Sequence, residues 1–206
     1  MKFFVKSFIF LFISFVVIII SLYVYAYLSP KLDLKTSGSL YLYDNQNGLI
    51  YQGSRSNEWA NLEDISQYLI DAVVAVEDKN FYNHHGFDYP RIAKAMLTNI
   101  KKKAIVQGAS TISQQYIKNL YLDFDKTWER KIEEAFLTLE LEVHYNKDEI
   151  LEGYLNTINY GQGNMGIVNA ASYYFNKKPK ELTLEEAIIL AVIIKNTAGY
   201  NPFSNY

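Results

Sequence analysis

The chain has 206 residues and a net charge of −2, with 50% hydrophobic, 16% aromatic and 20% charged positions. These values fit a single domain with one core and exclude disordered, collagen-like and low-complexity classes. They also argue against a dedicated nucleic-acid binder. Without cysteine there can be no disulfide scaffold, zinc–thiolate site or thiol nucleophile.

Residues 7–28 (SFIFLFISFVVIIISLYVYAYL) carry no charge, and none falls between Lys6 and Lys31. About 20 apolar residues span a bilayer core. Lys2 and Lys6 on the N-terminal side predict a cytoplasmic N-terminus, with Tyr23, Tyr25 and Tyr27 at the outer interface. Residues 1–28 thus read as a cytoplasmic tip and single-pass signal-anchor in the cell membrane, with the remainder extracytoplasmic. A cleaved signal peptide is the rival reading. It would have a shorter apolar core and a small-x-small site, which YVYAYLSP around Ala26 lacks.

Residues 29–60 are polar and hold Pro30, Gly38, Gly48 and Gly53. SLYLYD and LIYQG alternate apolar and polar positions, predicting a linker or one or two short strands. From Asn61 onward helical signals dominate. Ile65, Leu69, Val73 and Val76 share one face of a helix ending near Glu77. Pro90 suits a first helical turn, after which Ile92, Met96, Leu97 and Ile100 repeat with helical period. Thr111 and Gln114 form a T-x-x-Q capping box, Thr127 opens a helix to about His144, and Asn146 with Glu149 opens another to about Ile158. Gly161, Gly163 and Gly166 interrupt the pattern before a helix to about Phe175. Thr183 and Glu186 then precede a very apolar helix to about Ile194. The expected fold is mainly α, with residues 61–206 as its domain.

Charge is uneven. Lys79 to Lys131 holds ten Lys/Arg against four acids, and Lys101-Lys102-Lys103 reads either as a solvated helix end or as an anion-binding element. On the helix opened by Thr127, Ile132, Phe136, Leu139 and Val143 form one apolar face. An opposite stripe of Leu137 and Leu141 also carries Arg130 and Glu134 at i, i+4. That pair is either a structural ion pair or part of a site lining a cleft. Glu77, following VVAV at a helix C-terminus, sits where the dipole disfavours a carboxylate, an environment suited to a general base.

AVEDKNFYNHHGFD, QGASTISQQYIKN, RKIEEAFLTLELE and KDEILEGYLNTINYGQGNMGIVNAASYYFNK occur in that order. Together they resemble the successive motifs of the peptidoglycan glycosyltransferases, glycosyltransferase family 51. That domain occurs in class A penicillin-binding proteins and in monofunctional membrane-bound transglycosylases. The resemblance covers roughly residues 60–203 and implies a lysozyme-like helical fold with a lobe beside the membrane. It leaves open a monofunctional enzyme or a fragment of a bifunctional penicillin-binding protein.

The implied reaction is inverting transfer of a lipid-linked glycan onto the 4-hydroxyl of N-acetylglucosamine in lipid II, releasing undecaprenyl pyrophosphate. The resemblance makes Glu77 the general base and Asp78 and Thr111 its supports. It puts Lys118, Arg130 and Lys131 on the pyrophosphate, with Ser110 and Gln115 as polar neighbours and backbone N–H groups of the helix after Thr111 as a further anion site. Glu134 is implied as a second catalytic acid that holds a divalent cation, Mg or Mn, or positions the basic groups. No organic cofactor is implied. The implied partners are lipid II, the nascent glycan strand, the membrane and other cell-wall synthesis proteins, and not nucleic acid.

Ala109 replaces a usual Gly of QGGST, Ser113 the Thr of TQQ, and Thr197 a usual Pro. His84 and His85 fit the family's FYxHxG motif and read as structural rather than metal-binding. Two rivals remain: a lysozyme-like hydrolase using Glu77 and Glu134 as an acid/base pair, and a non-catalytic membrane-anchored scaffold. The scaffold reading predicts loss of a charged site residue, whereas Glu77, Lys118, Arg130 and Glu134 are all present.

Overall fold

The computed structural model describes residues 2–34, 41–43, 49–52, 58–122, 127–197 and 199–200. Gly38, Gly48 and Gly53 of the expected linker, Asp123, Asp125 and Lys126 of the basic segment, and residues 201–206 lie outside the described residues.

Helix α1 runs Lys2–Leu28, and its Phe4–Leu28 portion, of mean hydropathy 2.8, is long and apolar enough to cross a membrane. A two-stranded antiparallel hairpin follows, β1 (Tyr41–Tyr43) with β2 (Leu49–Gln52), pairing Tyr41 with Gln52 and Leu42 with Tyr51. Seven further α-helices are described: α2 (Gln67–Glu77), α3 (Tyr89–Lys102), α4 (Ile112–Tyr121), α5 (Trp128–His144), α6 (Lys147–Thr157), α7 (Ile167–Phe175) and α8 (Leu184–Lys195).

Their starts follow local chemistry. Thr111, Asn146 and Thr183 close reciprocal capping boxes with Gln114, Glu149 and Glu186, and Thr127 accepts from the Arg130 N–H. Each such cap is worth about 1 kcal/mol. Asp88 caps α3, and the Arg91 N–H it accepts holds its carboxyl below the ordinary carboxylate range.

The core forms where α2 packs on α8 and where α4 lies between α5 and α6. Leu69 and Val73 of α2, Leu190 and Ala191 of α8, Ile112, Tyr116 and Ile117 of α4, Leu141 of α5 and Leu151, Tyr154 and Leu155 of α6 are wholly buried. On α3 the apolar repeat faces outward. Ala95 is its buried residue, while Met96 is 63%, Leu97 60% and Ile100 62% exposed, continuing into Ile105 at 93%. On α5 the stripe holding Glu134 and Leu141 faces the core, whereas Ile132 and Phe136 of the other apolar face are exposed. These two residues look across an open groove at Ser21, Leu22 and Tyr25 of α1.

The chain leaving α1 is bound to the helical body through its backbone. His144 Nε2 donates to the Ala26 carbonyl at 2.9 Å, and the hydroxyls of Tyr145, Tyr121 and Tyr116 donate to the carbonyls of Leu32, Asp33 and Leu34. Lys31 lies over the Tyr145 ring at 5.3 Å.

Gly153 on α6 makes the Tyr116 position available. A Cβ at Gly153 would lie 2.0 Å from the Tyr116 hydroxyl and 2.3 Å from its Cζ. Alanine would gain about 1 kcal/mol of helix propensity over glycine, but overpacking a close-fitted core costs about 1–3 kcal/mol. The clash is with a fully buried ring, so it outweighs the gain. Gly153→Ala is therefore expected to lower the melting temperature, by about 2–4 °C per kcal/mol for a chain of this size. Calorimetry in detergent micelles checks this; an unchanged or raised melting temperature would show that Tyr116 can leave this position freely.

Candidate active site

The site is assembled where the C-terminus of α2, the N-terminus of α4 and the first half of α5 meet. Val74 and Val76 pack against the core, and the helix delivers Glu77 and Asp78 consecutively into the protein. Their side chains diverge. Glu77 is 8% exposed; its Oε2 accepts from Gln115 Nε2 at 2.8 Å, and its buried Oε1 has no hydrogen-bond partner among the described residues. Glu77 borders a cleft of about 380 Å³ that is also lined by Lys79, Asp88, Arg91, Lys94 and Lys195. The Glu77 carbonyl accepts from the Arg91 guanidinium, which answers the open backbone acceptors of a helix end.

Asp78 is wholly buried and turns the other way. Its Oδ2 accepts from the Ile112 N–H at 3.0 Å, His84 Nε2 lies 3.0 Å from the same oxygen, and Arg91 lies 3.9 Å from Oδ1. The anion at the N-terminus of α4 is thus the protein's own Asp78. Gln114 N–H is taken by Thr111 Oγ1 and Gln115 N–H by the Thr111 carbonyl. This corrects the expectation of a ligand-binding helix terminus: the dipole there is already answered by a carboxylate. His84 is bound to Asp78, in keeping with a structural reading of the FYNHHG motif. Gly86, at φ +83°, brings its carbonyl to the Thr111 hydroxyl at 2.7 Å; a Cβ there would meet Thr138 Cγ2 at 2.9 Å. Ala109 is not among the residues with positive φ, so the loss of a glycine there costs no backbone strain.

On α5, Glu134 is 2% exposed. Arg130 donates to its Oε2 at 2.9 Å, and Lys131 and Gln114 Nε2 donate to its Oε1. A buried carboxylate is tolerable only with such compensation. Gln114 and Gln115 are neighbours on α4, so one helical turn touches both carboxylates, Glu77 through Gln115 and Glu134 through Gln114. Ser110 is half-buried just ahead of that turn, and Lys118 lies one turn further along α4. Of the residues singled out in the sequence, the structure therefore joins Glu77 with Gln115, and Glu134 with Arg130 and Lys131. Asp78 and Thr111 bind α4 itself.

Arg91, His84 and Gln114 were not picked out as site residues. Gln114 was visible only as a helix cap, and no spacing rule links Arg91 to the end of another helix.

A divalent cation does not fit the donors around Glu134. Mg or Mn takes several oxygen ligands, whereas this single carboxylate faces two cations and an amide N–H. Among the described residues no group of three or more His, Asp or Glu is arranged to hold a metal.

Glu77 at the end of α2 and Glu134 on α5, the latter clamped by Arg130 and Lys131, are thus joined through adjacent glutamines of α4. The transglycosylase family model matches residues 46–206, and the chain belongs to that family. It is 50% identical to penicillin-binding protein 2D of Bacillus subtilis (strain 168) over 177 residues, covering 86% of this chain and 26% of that one. Over 176 residues it is 42% identical to penicillin-binding protein 1A of Neisseria flavescens, covering 85% and 21%. Over 151 residues it is 44% identical to penicillin-binding protein 1A of Aquifex aeolicus (strain VF5), covering 73% and 21%. The chain thus spans about a quarter or less of the length of the curated relatives it matches.

Removing the Asp78 carboxylate would leave the Ile112 N–H, His84 and Arg91 facing a void. Hydrogen bonds to a charged group are worth about 1.5–3 kcal/mol each, and breaking a buried pair costs about 3–5 kcal/mol. Arg91 is distant and partly exposed, so Asp78→Ala is expected to cost about 3 kcal/mol. Asp78→Asn should lose less, because its carbonyl can still accept from Ile112. Urea midpoints of the two variants test this; equal midpoints for Asp78→Ala and the parent would remove Asp78 from the framework.

Proposed function

We propose that this chain polymerises peptidoglycan glycan strands by inverting transfer of a lipid-linked glycan onto the 4-hydroxyl of N-acetylglucosamine in lipid II, with undecaprenyl pyrophosphate as leaving group. The observation that carries the proposal is the state of Glu77: a buried residue bordering a cation-lined cleft, with one oxygen fixed by Gln115 and the other without a hydrogen-bond partner among the described residues. A general base needs a positioned, partly desolvated carboxylate with one lone pair left for the incoming proton. In this reading Glu77 Oε1 takes the proton of the attacking hydroxyl as the oxygen adds to the anomeric carbon, and the C–O bond to the pyrophosphate breaks on the opposite face.

The departing pyrophosphate gathers negative charge, which Arg130, Lys131 and Lys118 would offset. Glu134 then acts as the anchor that orients Arg130 and Lys131. The hydrolase alternative needs Glu134 as a second acid/base group, and its commitment to Arg130, Lys131 and Gln114 weighs against that role. Orientation with the N-terminus cytoplasmic and the domain extracytoplasmic follows from Lys2 and Lys6. The exposed apolar edge of α3 with Lys101, Lys102 and Lys103 would then rest on the outer leaflet, each lysine near anionic headgroups gaining about 1 kcal/mol. Residues 61–206 form the glycosyltransferase domain, and other cell-wall synthesis proteins are its expected partners.

Two measurements test this reading. Glu77→Gln keeps shape and removes the base, so polymer formation from labelled lipid II should fall by about 10²–10⁴-fold with the fold retained; a rate above about a tenth of the parent would contradict the assignment. The pair Arg130→Met with Glu134→Leu replaces a buried ion pair by apolar groups, a change that is often neutral or stabilising. The expected double mutant keeps or raises the melting temperature and makes no polymer, whereas retained turnover would take both residues out of the site.

A further inference from the structure

Behind Gln115 lies a residue that the reaction scheme above does not use. Tyr154 of α6 is fully buried, and its hydroxyl lies 3.2 Å from Gln115 Oε1, while the Nε2 of the same amide donates to Glu77 Oε2 at 2.8 Å. The chain Tyr154–Gln115–Glu77 has a single self-consistent direction. A carboxylate only accepts, so Gln115 must turn its NH2 toward Glu77. Its carbonyl is then left facing Tyr154, and a phenol can donate to it. With the amide flipped, a carbonyl oxygen would face a carboxylate oxygen, and the Gln115 NH2 would point at the tyrosine hydroxyl.

We propose that Tyr154 is a positioning residue of the glycosyl transfer: its hydroxyl fixes the orientation of the Gln115 amide, and through it selects which oxygen of Glu77 is held and which remains free for the acceptor's proton. Burial pushes the Tyr154 hydroxyl well above its ordinary pKa, and the neighbouring Glu77 adds to this, so it stays a donor across the working range. The Glu77 carboxylate sets which amide end faces it, and the Tyr154 hydroxyl, bound to the other end, holds the amide in place against that carboxylate. The arrangement joins three elements: α2 carries the base, α4 the amide and α6 the hydroxyl.

This inference rests on the reading of Glu77 as the base, so its test uses two kinds of readout on the full chain in detergent micelles. Tyr154→Phe keeps the ring and removes the donor. The expected result is a fall in kcat for lipid II polymerisation of about 5- to 10-fold, the equivalent of one lost hydrogen bond of ordinary strength, with KM for lipid II little changed. Asp78, Lys79, Asp88, Arg91, Lys94 and Lys195, the charged groups around Glu77, are unaltered by the change.

In a Gln115→Ala background, Tyr154→Phe should change kcat by less than about 2-fold, since its effect passes through the amide. Equal losses in both backgrounds would overturn the proposal and make Tyr154 a packing residue. The second readout needs no turnover. In ¹⁵N-labelled protein the Gln115 side-chain NH2 should exchange slowly in the parent and measurably faster in Tyr154→Phe; unchanged exchange also overturns the proposal. Should Glu77→Gln prove active, the catalytic reading fails while the exchange measurement still decides whether Tyr154 orders Gln115.

Discussion

The hydrogen bond from the Ile112 N–H to the Asp78 carboxylate is the constraint on which the site depends. It ties the end of α2 to the start of α4, and both ends are regions where a helix has unsatisfied backbone groups. Because Asp78 is fixed there, the preceding Glu77 is driven to the opposite side of the chain, and the first turn of α4 is brought within reach of it. His84 lies within hydrogen-bond distance of Asp78 and the Arg91 guanidinium lies near it, so the cost of burying a carboxylate is met by neighbours from the segment between α2 and α3 and from α3 itself. Within the FYNHHGFD stretch, His84 thus serves to hold Asp78 in place.

Two carboxylates of the same family motif set are thus put to different uses by their surroundings. Glu77 has one oxygen without a hydrogen-bond partner among the described residues, and borders a cleft. Glu134 has every oxygen engaged by cations and an amide. Electrostatics near Glu134 holds Arg130 and Lys131 in a fixed arrangement on α5, with Thr138 binding back to the Glu134 carbonyl at 2.6 Å. Adjacent glutamines on one turn of α4 connect the two environments, so a displacement of α4 would disturb both together.

The same helix also reaches the membrane-proximal chain. Tyr116, next to Gln115, donates to the Leu34 carbonyl at 2.9 Å, while Tyr121 and Tyr145 bind the two carbonyls before it. An extended segment has no internal partners for its carbonyls, and here tyrosine hydroxyls supply them. The end of α1 is thereby attached to the helices that carry the site.

Much of this molecule was legible in the order of its residues. The uncharged run from Ser7 to Leu28 specifies a membrane-length helix by composition alone. Thr111, Thr127, Asn146 and Thr183 mark helix starts because capping is a contact over three residues. The i, i+4 spacing of Arg130 and Glu134 gave their pairing for the same reason. Tertiary structure decided what local rules cannot reach. The regular apolar repeat of α3 turned outward, since periodicity fixes which residues share a face but not whether that face meets core or solvent. On α5 the stripe carrying charge became the buried one. Asp78 took the helix terminus that sequence reasoning had offered to a ligand, and Tyr154, 77 positions from Glu77 in the chain, came to stand behind the amide that holds it. Such long-range contacts arise from the packing of α2, α4 and α6 together, and no spacing within any one of those helices encodes them.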